Sequence, residues 1–410
     1  MKSLRCLYRV GPGPSSSHTL APYCAAIRFK SFLLSPLSSI RVTLYGSLAL
    51  TGKGHRSDNA ISNGLYPRDR EVIFDVLSPV NHPNTMKFEE ILDKKVLQSK
   101  IYLSLGGGEL FSPDDERVSE KEIYPFNSLK SIKREIREKG LSSVKEFCQR
   151  YEDEHIDEYL DLILKEMFAS IDRGLSREGT IIANGNPRLR IVEVAGKLYE
   201  KASKMKEEEG RKEMLLTAYA YAVGEENACG ENVVTAPTCG SAGVLPAVLY
   251  YLHHNQGVPL STLRDSLYAA GVIGNLVKQN ASISGAVGGC QAEIGTASSM
   301  AAAAYCSAMG LSLHEVEYAS EVAMEHFLGL SCDPVDGYVM IPCIERNGIG
   351  AIRAYTSYLY AANIACIREN KVSFDEVVEA MKVTGDSLEV AYKETSLGGL
   401  AEILRKEQND

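Results

Sequence analysis

Three cysteines in the C-terminal half of the chain stand in short loops rich in glycine and proline. Cys290 lies in SISGAVGGCQAEIG, Cys332 in GLSCDPVDG and Cys343 in MIPCIERNG. Loops of this composition can bring thiolates together without the fixed period of a helix or strand, and three thiolates suit a soft metal centre. A [4Fe–4S] cluster held by three cysteines would leave one iron free to act as a Lewis acid on a substrate oxygen.

A structural interpretation of the same cysteines is also open. A free cysteine is usually a small buried hydrophobic residue, and the chain has ten cysteines. None of the three belongs to a Cys-x-x-Cys pair, so their spacing is not that of a familiar metal motif. The spacing alone therefore decides neither for a metal site nor against one.

Three histidines in the N-terminal part stand among small polar residues. His18 ends the run PSSSH, where the hydroxyl groups of Ser15 and Ser17 and the N–H groups of a helix start can bind a carboxylate or phosphate. His55 follows TGKG after a predicted strand, where an imidazole can act as a general base near neutral pH. His82 lies in NHPNTM, which is a turn in isolation. A helix cap and a solvated loop histidine remain the structural alternatives for the first two motifs.

Two loops of the C-terminal half contain further candidate ligands. Thr238 in TAPTCGSAG precedes a predicted helix, whose N-terminus favours a carboxylate, although a simple cap is the alternative. Arg346 follows Cys343 by three residues and can pair in a forked manner with a substrate carboxylate or with a nearby acid.

The elements that must position these loops change in type along the chain. Up to about residue 110, helix patterns alternate with apolar–polar strand patterns. The predicted strands are 39–45, 71–77 and 100–105. The charged segment 112–122 is the best linker candidate. Beyond it the pattern is mostly helical, Arg188–Lys206 included, and no strong strand pattern follows residue 130. The sequence predicts an α+β N-terminal domain, residues 1–125, followed by a larger, mainly α-helical domain, residues 126–410.

The composition limits the class of protein. The chain has 410 residues, of which 45% are hydrophobic and 24% charged, as in a soluble globular protein. Its net charge of −9 argues against nucleic acid or an anionic membrane as partner. No apolar stretch has the length of a membrane span and no signal peptide is evident. We therefore expect a cytoplasmic protein whose cysteines stay as thiols or metal ligands.

Taken together, the motifs resemble those of the iron–sulfur-dependent L-serine dehydratases, or L-serine ammonia-lyases. The resemblance covers nearly the whole chain, with the family's motifs in the family's order: GPSSSHT, TGKGH, HPNTM, APTCGSAG, SISGAVGGCQ, EHFLGLSCDPVDG and IPCIERN. It implies a β domain with the serine and histidine motifs, fused ahead of an α domain. The α domain would hold a [4Fe–4S] cluster through Cys290, Cys332 and Cys343.

The resemblance also implies the reaction. L-Serine would lose water, and the resulting aminoacrylate would give pyruvate and ammonia, without pyridoxal phosphate. His55 is the expected base for the Cα proton. The expected substrate-binding residues are Ser15, Ser17, His18 and His82 from the β domain and Thr238, Ser284 and Arg346 from the α domain. A homodimer acting in amino-acid degradation, with pyruvate available for gluconeogenesis, is the implied setting.

Two departures from the family pattern and two alternative functions remain. Some members end in a cysteine that reaches their own active site, whereas this chain has none after Cys366. Cys239 stands where many relatives have asparagine. An iron–sulfur L-cysteine desulfidase shares similarity with the helical domain, and a non-catalytic metabolite-binding relative would keep the fold alone. The N-terminal serine and histidine motifs favour the serine dehydratase.

Overall fold

The computed structural model describes residues 1–115, 120–183 and 186–406. Within them the strands are β1 Val10–Pro12, β2 Ser39–Tyr45, β3 Arg70–Asp75, β4 Thr85–Leu92, β5 Lys95–Gly106, β6 Glu109–Phe111, β7 Thr180–Ala183, β8 Asn186–Val192 and β9 Asn232–Val234. The α-helices of these residues are α1 Ala21–Lys30, α2 Ser47–Thr51, α3 Ser57–Leu65, α4 Leu129–Glu138, α5 Val144–Cys148, α6 Ile156–Leu175, α7 Ala195–Ser203, α8 Arg211–Cys229, α9 Val244–Gln256, α10 Leu260–Asn280, α11 Gly285–Gly288, α12 Ile294–Ala308, α13 Leu313–Glu325, α14 Cys343–Ile364, α15 Phe374–Ser387 and α16 Gly399–Lys406.

The N-terminal part is built on a mixed five-stranded sheet in the order β3-β2-β4-β5-β6. Strands β2 and β3 run parallel, with α2 and α3 between them, and the other pairs are antiparallel. The apolar residues of β2, Ile40, Val42 and Leu44, are buried as their alternation predicts. They form one core with Phe29 of α1 and Phe88 of β4, so the sheet holds α1 and α3, and the loops before them, in place.

The C-terminal part is a helical assembly around α12, which packs against α9, α10, α13 and α14. The run Ala301–Ala304 of α12 is fully buried, and such small side chains let neighbouring helices approach closely. The Gly-rich loops that carry the three cysteines start or end at these helices. The predicted fold class, an α+β N-terminal part followed by a larger helical part, is confirmed.

The first residues of the chain pack with the helical part. Leu4, Leu7 and Tyr8 belong to the same buried core as the central helices, and Tyr8 Oη donates a 2.9 Å hydrogen bond to the carbonyl of Leu267. Strand β1 pairs antiparallel with β9. The chain therefore begins in the helical part before it forms the sheet, and the division into residues 1–125 and 126–410 stays a prediction.

Two elements correct the secondary-structure prediction. The prediction of a helix over Arg188–Lys206 was wrong. Strands β7 and β8 form an antiparallel hairpin, and the helix α7 covers only Ala195–Ser203. Strands β7, β8 and β9 all follow residue 130, where no strand was predicted. In β8, Leu189 is buried and Arg190 exposed, which is the two-residue period of a strand, but the run is too short to overrule the helical pattern that follows it.

Strand β4 was not predicted. Its inward residues include Glu90 beside Met86 and Phe88, so an acid interrupts the apolar alternation by which a strand is recognised. The carboxylate of Glu90 accepts hydrogen bonds from the N–H groups of Leu34 and Ser35, which explains its burial. Of the linker candidate 112–122, residues 116–119 lie outside the described residues. Among the helices that the structure describes, none combines the length and apolar character needed to cross a membrane.

Candidate active site

The motif around His18 starts α1 with a wide helical turn, Ser16–Leu20. Ser15 caps this turn, because its Oγ accepts a 3.1 Å hydrogen bond from the N–H of His18. The imidazole of His18 is fully buried, and its Nε2 lies 3.1 Å from Ser47 Oγ. Ser47 Oγ donates its proton to the carbonyl of Glu394 at 2.7 Å. Nε2 of His18 must therefore carry the proton of the shared bond, and Nδ1 is left as an acceptor.

His55 lies beside His18, with the two ring centroids 4.5 Å apart. Its Nδ1 lies 3.1 Å from the carbonyl of Thr51, which can only accept, so Nδ1 carries the proton. Nε2 of His55 is buried without a hydrogen-bond partner in the described part of the chain, and it faces the cavity described below. Burial lowers the pKa of His55 to about 4. Burial and the neighbouring His55 also lower the pKa of His18, so both rings are neutral at neutral pH.

The three cysteines converge on the same place from three loops. Cys290 starts a short helical turn after α11, Cys332 follows the loop after α13, and Cys343 is the first residue of α14. Their side chains line one enclosed cavity together with Ser15 and His55. The structure thus brings Ser15 and His55 of the N-terminal motifs to the same cavity as the three cysteines, and the roles of these residues stay predictions.

The cavity between these side chains has a volume of about 20 Å³, which is room for about one water molecule. In the residues that the structure describes, no group of three or more His, Cys, Asp or Glu side chains is arranged to hold a single metal ion. A cluster binds its cysteines through different iron atoms, so convergence on a single ion is not what it requires. The three cysteines are donors that suit an iron–sulfur cluster. A cluster is larger than the cavity volume of about 20 Å³, so the three cysteine loops would have to stand further apart when it is bound.

The backbone of Gly285 lies close to the side chains of Cys332 and Glu293. A Cβ atom at Gly285 would lie 2.9 Å from Cys332 Sγ and 2.9 Å from Glu293 Oε2, which is closer than such atoms can pack. The hydrogen bond from Cys332, and then Arg346, lower the pKa of Cys290 to about 6 against the effect of burial. Burial raises the pKa of Cys343. Of the three cysteines, Cys290 therefore most readily forms the thiolate that a metal requires.

Arg346 holds the Cys332 loop from α14. Its Nη1 donates a 2.8 Å hydrogen bond to the carbonyl of Ser331, and its Nη2 lies 3.3 Å from Asp333 Oδ1. The guanidinium also bonds the thiol of Cys290. Its predicted use as a ligand for a substrate carboxylate stays a prediction, because the structure shows only these protein partners.

The hydroxyl groups predicted on the helical side are both buried. Thr238 Oγ1 lies 3.0 Å from Ser241 Oγ and also bonds the carboxyl group of Glu293. Ser284 stands at the residue before α11 without making a side-chain capping bond, and its Oγ has no hydrogen-bond partner among the described residues. An unpaired buried hydroxyl is costly, so Ser284 is free to bind a ligand group. The roles of Thr238 and Ser284 in binding the substrate stay predictions.

Ser17 and His82 lie less directly in the site. Ser17 is buried in the same helical turn as His18. His82 is half-buried, and its Nδ1 accepts a 3.1 Å hydrogen bond from the N–H of Asn84. The loop of His82 joins the site through its backbone, because the Pro83 carbonyl accepts a 2.8 Å hydrogen bond from the N–H of Ser47. Their roles as substrate-binding residues stay predictions.

The sequence analysis missed two acids of the site, of which Glu293 is half-buried and Glu394 is buried. Glu293 follows Cys290 by three residues, and burial, with the Cys290 thiol, raises its pKa to about 8. Glu394 comes from the segment after α15, is 5% exposed and lines the cavity. Burial, and then Glu293, raise the pKa of Glu394 well above its usual range. Glu293 could have been recognised from the sequence, because it lies in the same Gly-rich motif as Cys290. Glu394 lies in a polar C-terminal segment whose composition does not indicate a site.

Comparison with known proteins gives the same picture over the whole chain. The family model described as serine dehydratase beta chain matches residues 3–78, and that described as serine dehydratase alpha chain matches residues 86–401. The alpha-chain match thus begins within β4 of the N-terminal sheet.

Similar proteins extend over nearly the full length. The "L-serine dehydratase" of Streptomyces coelicolor is 41% identical over 96% of this chain and 97% of that protein. The "L-serine dehydratase 1" of Escherichia coli is 37% identical over 98% and 99%, and the "L-serine dehydratase" of Helicobacter pylori strain 26695 is 37% identical over 98% and 99%. The chain therefore belongs to the serine dehydratase family, with the beta-chain region preceding the alpha-chain region in one polypeptide.

Proposed function

We propose that this protein is an L-serine ammonia-lyase, which converts L-serine to pyruvate and ammonia by elimination of water. The observation that carries the proposal is an enclosed cavity lined by Ser15, His55, Cys290, Cys332 and Cys343. A candidate base and a set of soft metal donors meet there from distant parts of the chain. Membership of the serine dehydratase family and the names of its full-length relatives support the same reaction.

Cys290, Cys332 and Cys343 would hold a [4Fe–4S] cluster in this proposal. When bound, the cluster supplies a Lewis acid for the serine hydroxyl, which is otherwise a poor leaving group. Soft thiolate donors are the ligands that such a centre prefers, and the absence of a Cβ at Gly285 leaves room beside Cys332 Sγ. Pyridoxal phosphate has no part in the proposal.

His55 would remove the proton from Cα of L-serine. Its Nδ1 is bound to the carbonyl of Thr51, which orients the ring and leaves the lone pair of Nε2 for the substrate. A pKa lowered to about 4 by burial keeps that lone pair available at neutral pH. Nε2 then carries the Cα proton while the hydroxyl group leaves the adjacent carbon as hydroxide, and the same proton completes the water that is released.

The other predicted residues would bind and enclose the substrate. Ser284, Thr238 and Arg346 would bind the carboxylate or line the pocket from the helical side, and the unpaired hydroxyl of Ser284 supports this most directly. Ser15, Ser17, His18 and His82 would shape the site from the N-terminal side. We further propose a homodimer in the reducing cytoplasm, acting in amino-acid degradation with pyruvate available for gluconeogenesis.

The test compares L-serine with L-cysteine on protein reconstituted anaerobically with iron and sulfide. We expect pyruvate from L-serine with a higher kcat/KM than for any sulfide release from L-cysteine, and no change on adding pyridoxal phosphate. Faster turnover of L-cysteine would favour an L-cysteine desulfidase and overturn the proposal. Neither cluster absorbance nor turnover of either substrate would favour a non-catalytic relative.

A further inference from the structure

Two imidazole nitrogens and one carboxyl oxygen lie close together beside the cavity. Nδ1 of His18 lies 3.5 Å from Oε1 of Glu394, and Nε2 of His55 lies 3.8 Å from the same oxygen. Both distances exceed those of a hydrogen bond. Neither imidazole nitrogen has a hydrogen-bond partner among the described residues, and both rings are fully buried. Buried acceptors without a donor are costly, so this wall is suited to a ligand that brings donors.

The backbone of Glu394 is fixed to both parts of the molecule. Its N–H donates a 2.7 Å hydrogen bond to the carbonyl of Cys332, and its own carbonyl accepts the 2.7 Å bond from Ser47 Oγ. Glu394 adopts φ of 57°, a left-handed conformation that is uncommon for a residue with a side chain. Such a strained conformation persists when the surroundings determine it, and here it accompanies a carboxyl group that points into the site.

A second acid, Glu293, lies close to Glu394. The position of a Cβ on Gly285 would lie 2.9 Å from Glu293 Oε2 and 3.3 Å from Glu394 Oε2. The two carboxyl groups therefore flank one point, whereas Arg346 binds the Cys332 loop. The two imidazole lone pairs favour a group with several N–H donors. Burial raises the pKa of Glu394 where no positive charge among the described residues faces it, and a compact cation bound beside it would restore the carboxylate. An ammonium group has three donors and a positive charge, while a hydroxyl group has one donor and no charge.

We propose that the carboxyl group of Glu394 and Nδ1 of His18 bind the α-ammonium group of the amino-acid substrate. The inference rests on the proposed function, because it concerns the same site. The ammonium nitrogen of an amino acid is bonded directly to Cα. Its capture between Glu394 and His18 places the Cα proton beside Nε2 of His55, the neighbouring atom in the group of three. Glu394 thus selects substrates that carry an amino group and orients the carbon from which the proton is removed.

The variant Glu394→Gln tests this assignment, because it keeps the shape and replaces one acceptor by an N–H donor that faces the ammonium group. We expect the KM for L-serine to rise on the order of 100-fold, the loss for a buried charge-assisted hydrogen bond. The inhibition constant of 3-hydroxypropanoate, which is L-serine without its amino group, should stay within about twofold. Glu389→Gln, an exposed acid in the same tail segment, should behave as the wild type.

Calorimetric titration with L-alanine and with propanoate repeats the comparison without turnover, since neither compound has a hydroxyl to lose. The wild type should prefer L-alanine, and Glu394→Gln should lose that preference. If Glu394→Gln does not fold, Glu394→Asp should show the same selective loss of affinity for L-serine to a smaller extent.

Three results would separate the alternatives. A lower kcat with unchanged KM would mean that Glu394 only orients His55, and equal losses for L-serine and 3-hydroxypropanoate would mean that it only shapes the pocket. Either result overturns the ammonium assignment. Wild-type protein that makes no pyruvate from L-serine would instead overturn the proposed function, whatever the variants show.

Discussion

At the scale of single residues, the proton positions on two imidazoles follow from their partners. The carbonyl of Thr51 accepts a hydrogen bond from Nδ1 of His55. Ser47 Oγ donates its only proton to the carbonyl of Glu394, so Ser47 Oγ accepts the hydrogen bond from Nε2 of His18. The free lone pair of His55 consequently faces the cavity, and that of His18 faces the carboxyl group of Glu394 beside it. The proposal gives the two histidines different roles, with His55 as the base and His18 as part of the ammonium site.

The variant His55→Asn tests the role of the base. We expect kcat to fall by about 10²- to 10⁴-fold, the usual contribution of a positioned general base, while the iron content stays at the wild-type level. Steady-state pyruvate formation and iron analysis on the same preparation are the measurements. His155→Asn is the matched control, because His155 is exposed and should keep full activity. A wild-type rate in His55→Asn would contradict the assignment.

The sequence identified most candidate residues but not the acids between them. Cysteines and histidines in unusual Gly/Ser loops are recognisable as single residues, and the structure places Cys290, Cys332, Cys343 and His55 around one cavity. Glu394 had no comparable signal, because a glutamate in a polar tail is normally solvated. Its burial depends on contacts with Cys332 and Ser47, far away in the sequence.

At the scale of elements, two loops position the halves of the site against each other. A Cβ atom at Gly54, in the TGKGH loop, would lie 2.7 Å from the backbone of Gly337 and 2.8 Å from the carbonyl oxygen of Asp336. The loop that carries His55 therefore lies directly on the loop between Cys332 and Cys343. The glycine before His55 is explained by this contact between backbones.

The variant Gly54→Ala should disturb the site without unfolding the protein. The new methyl group meets backbone atoms that cannot turn away, so the loop of His55 has to shift, and a displacement of about 1 Å can cost on the order of 100-fold in rate. We expect kcat/KM to fall by that order with an unchanged far-UV circular dichroism spectrum. Gly224→Ala is the control, because its new Cβ would meet Ile344 only at an ordinary 3.4 Å. Equal activities of the two variants would contradict the account of this loop contact.

The elements themselves were predictable where their patterns are long. Strand β2 and the long amphipathic helix α6 follow from their periods. The hairpin β7–β8 was missed because it is short and is followed by helical periodicity, and β4 because it buries Glu90. Local patterns cannot show an acid that is stabilised by backbone donors from another segment.

At the scale of the whole molecule, the chain begins in the helical part and then crosses to the sheet. Leu4 and Leu7 are fully buried among the central helices, and β1 pairs with β9. The turn of His18 follows β1 directly, so the packing of these first residues helps to hold a histidine of one part against the cysteine loops of the other. No sequence pattern indicated this crossing.

The variant Leu4→Ala measures that coupling. Removing a fully buried leucine side chain should lower the free energy of unfolding by about 2–5 kcal/mol. Urea denaturation monitored by circular dichroism is the measurement. Leu37→Ala is the control, because Leu37 is 84% exposed and should change stability by less than about 0.5 kcal/mol. A negligible change in Leu4→Ala would mean that the N-terminal segment is dispensable to the helical core.

The central claim is that the three cysteine loops hold the cofactor of the site that contains His55. The most direct test is iron content, measured together with pyruvate formation from L-serine, in Cys332→Ala and in Cys366→Ala, whose cysteine is exposed. Cys332→Ala should lose both the iron and the activity with its helical spectrum intact, and Cys366→Ala should keep both. Full activity in Cys332→Ala, or wild-type iron content without Cys332, would contradict the account.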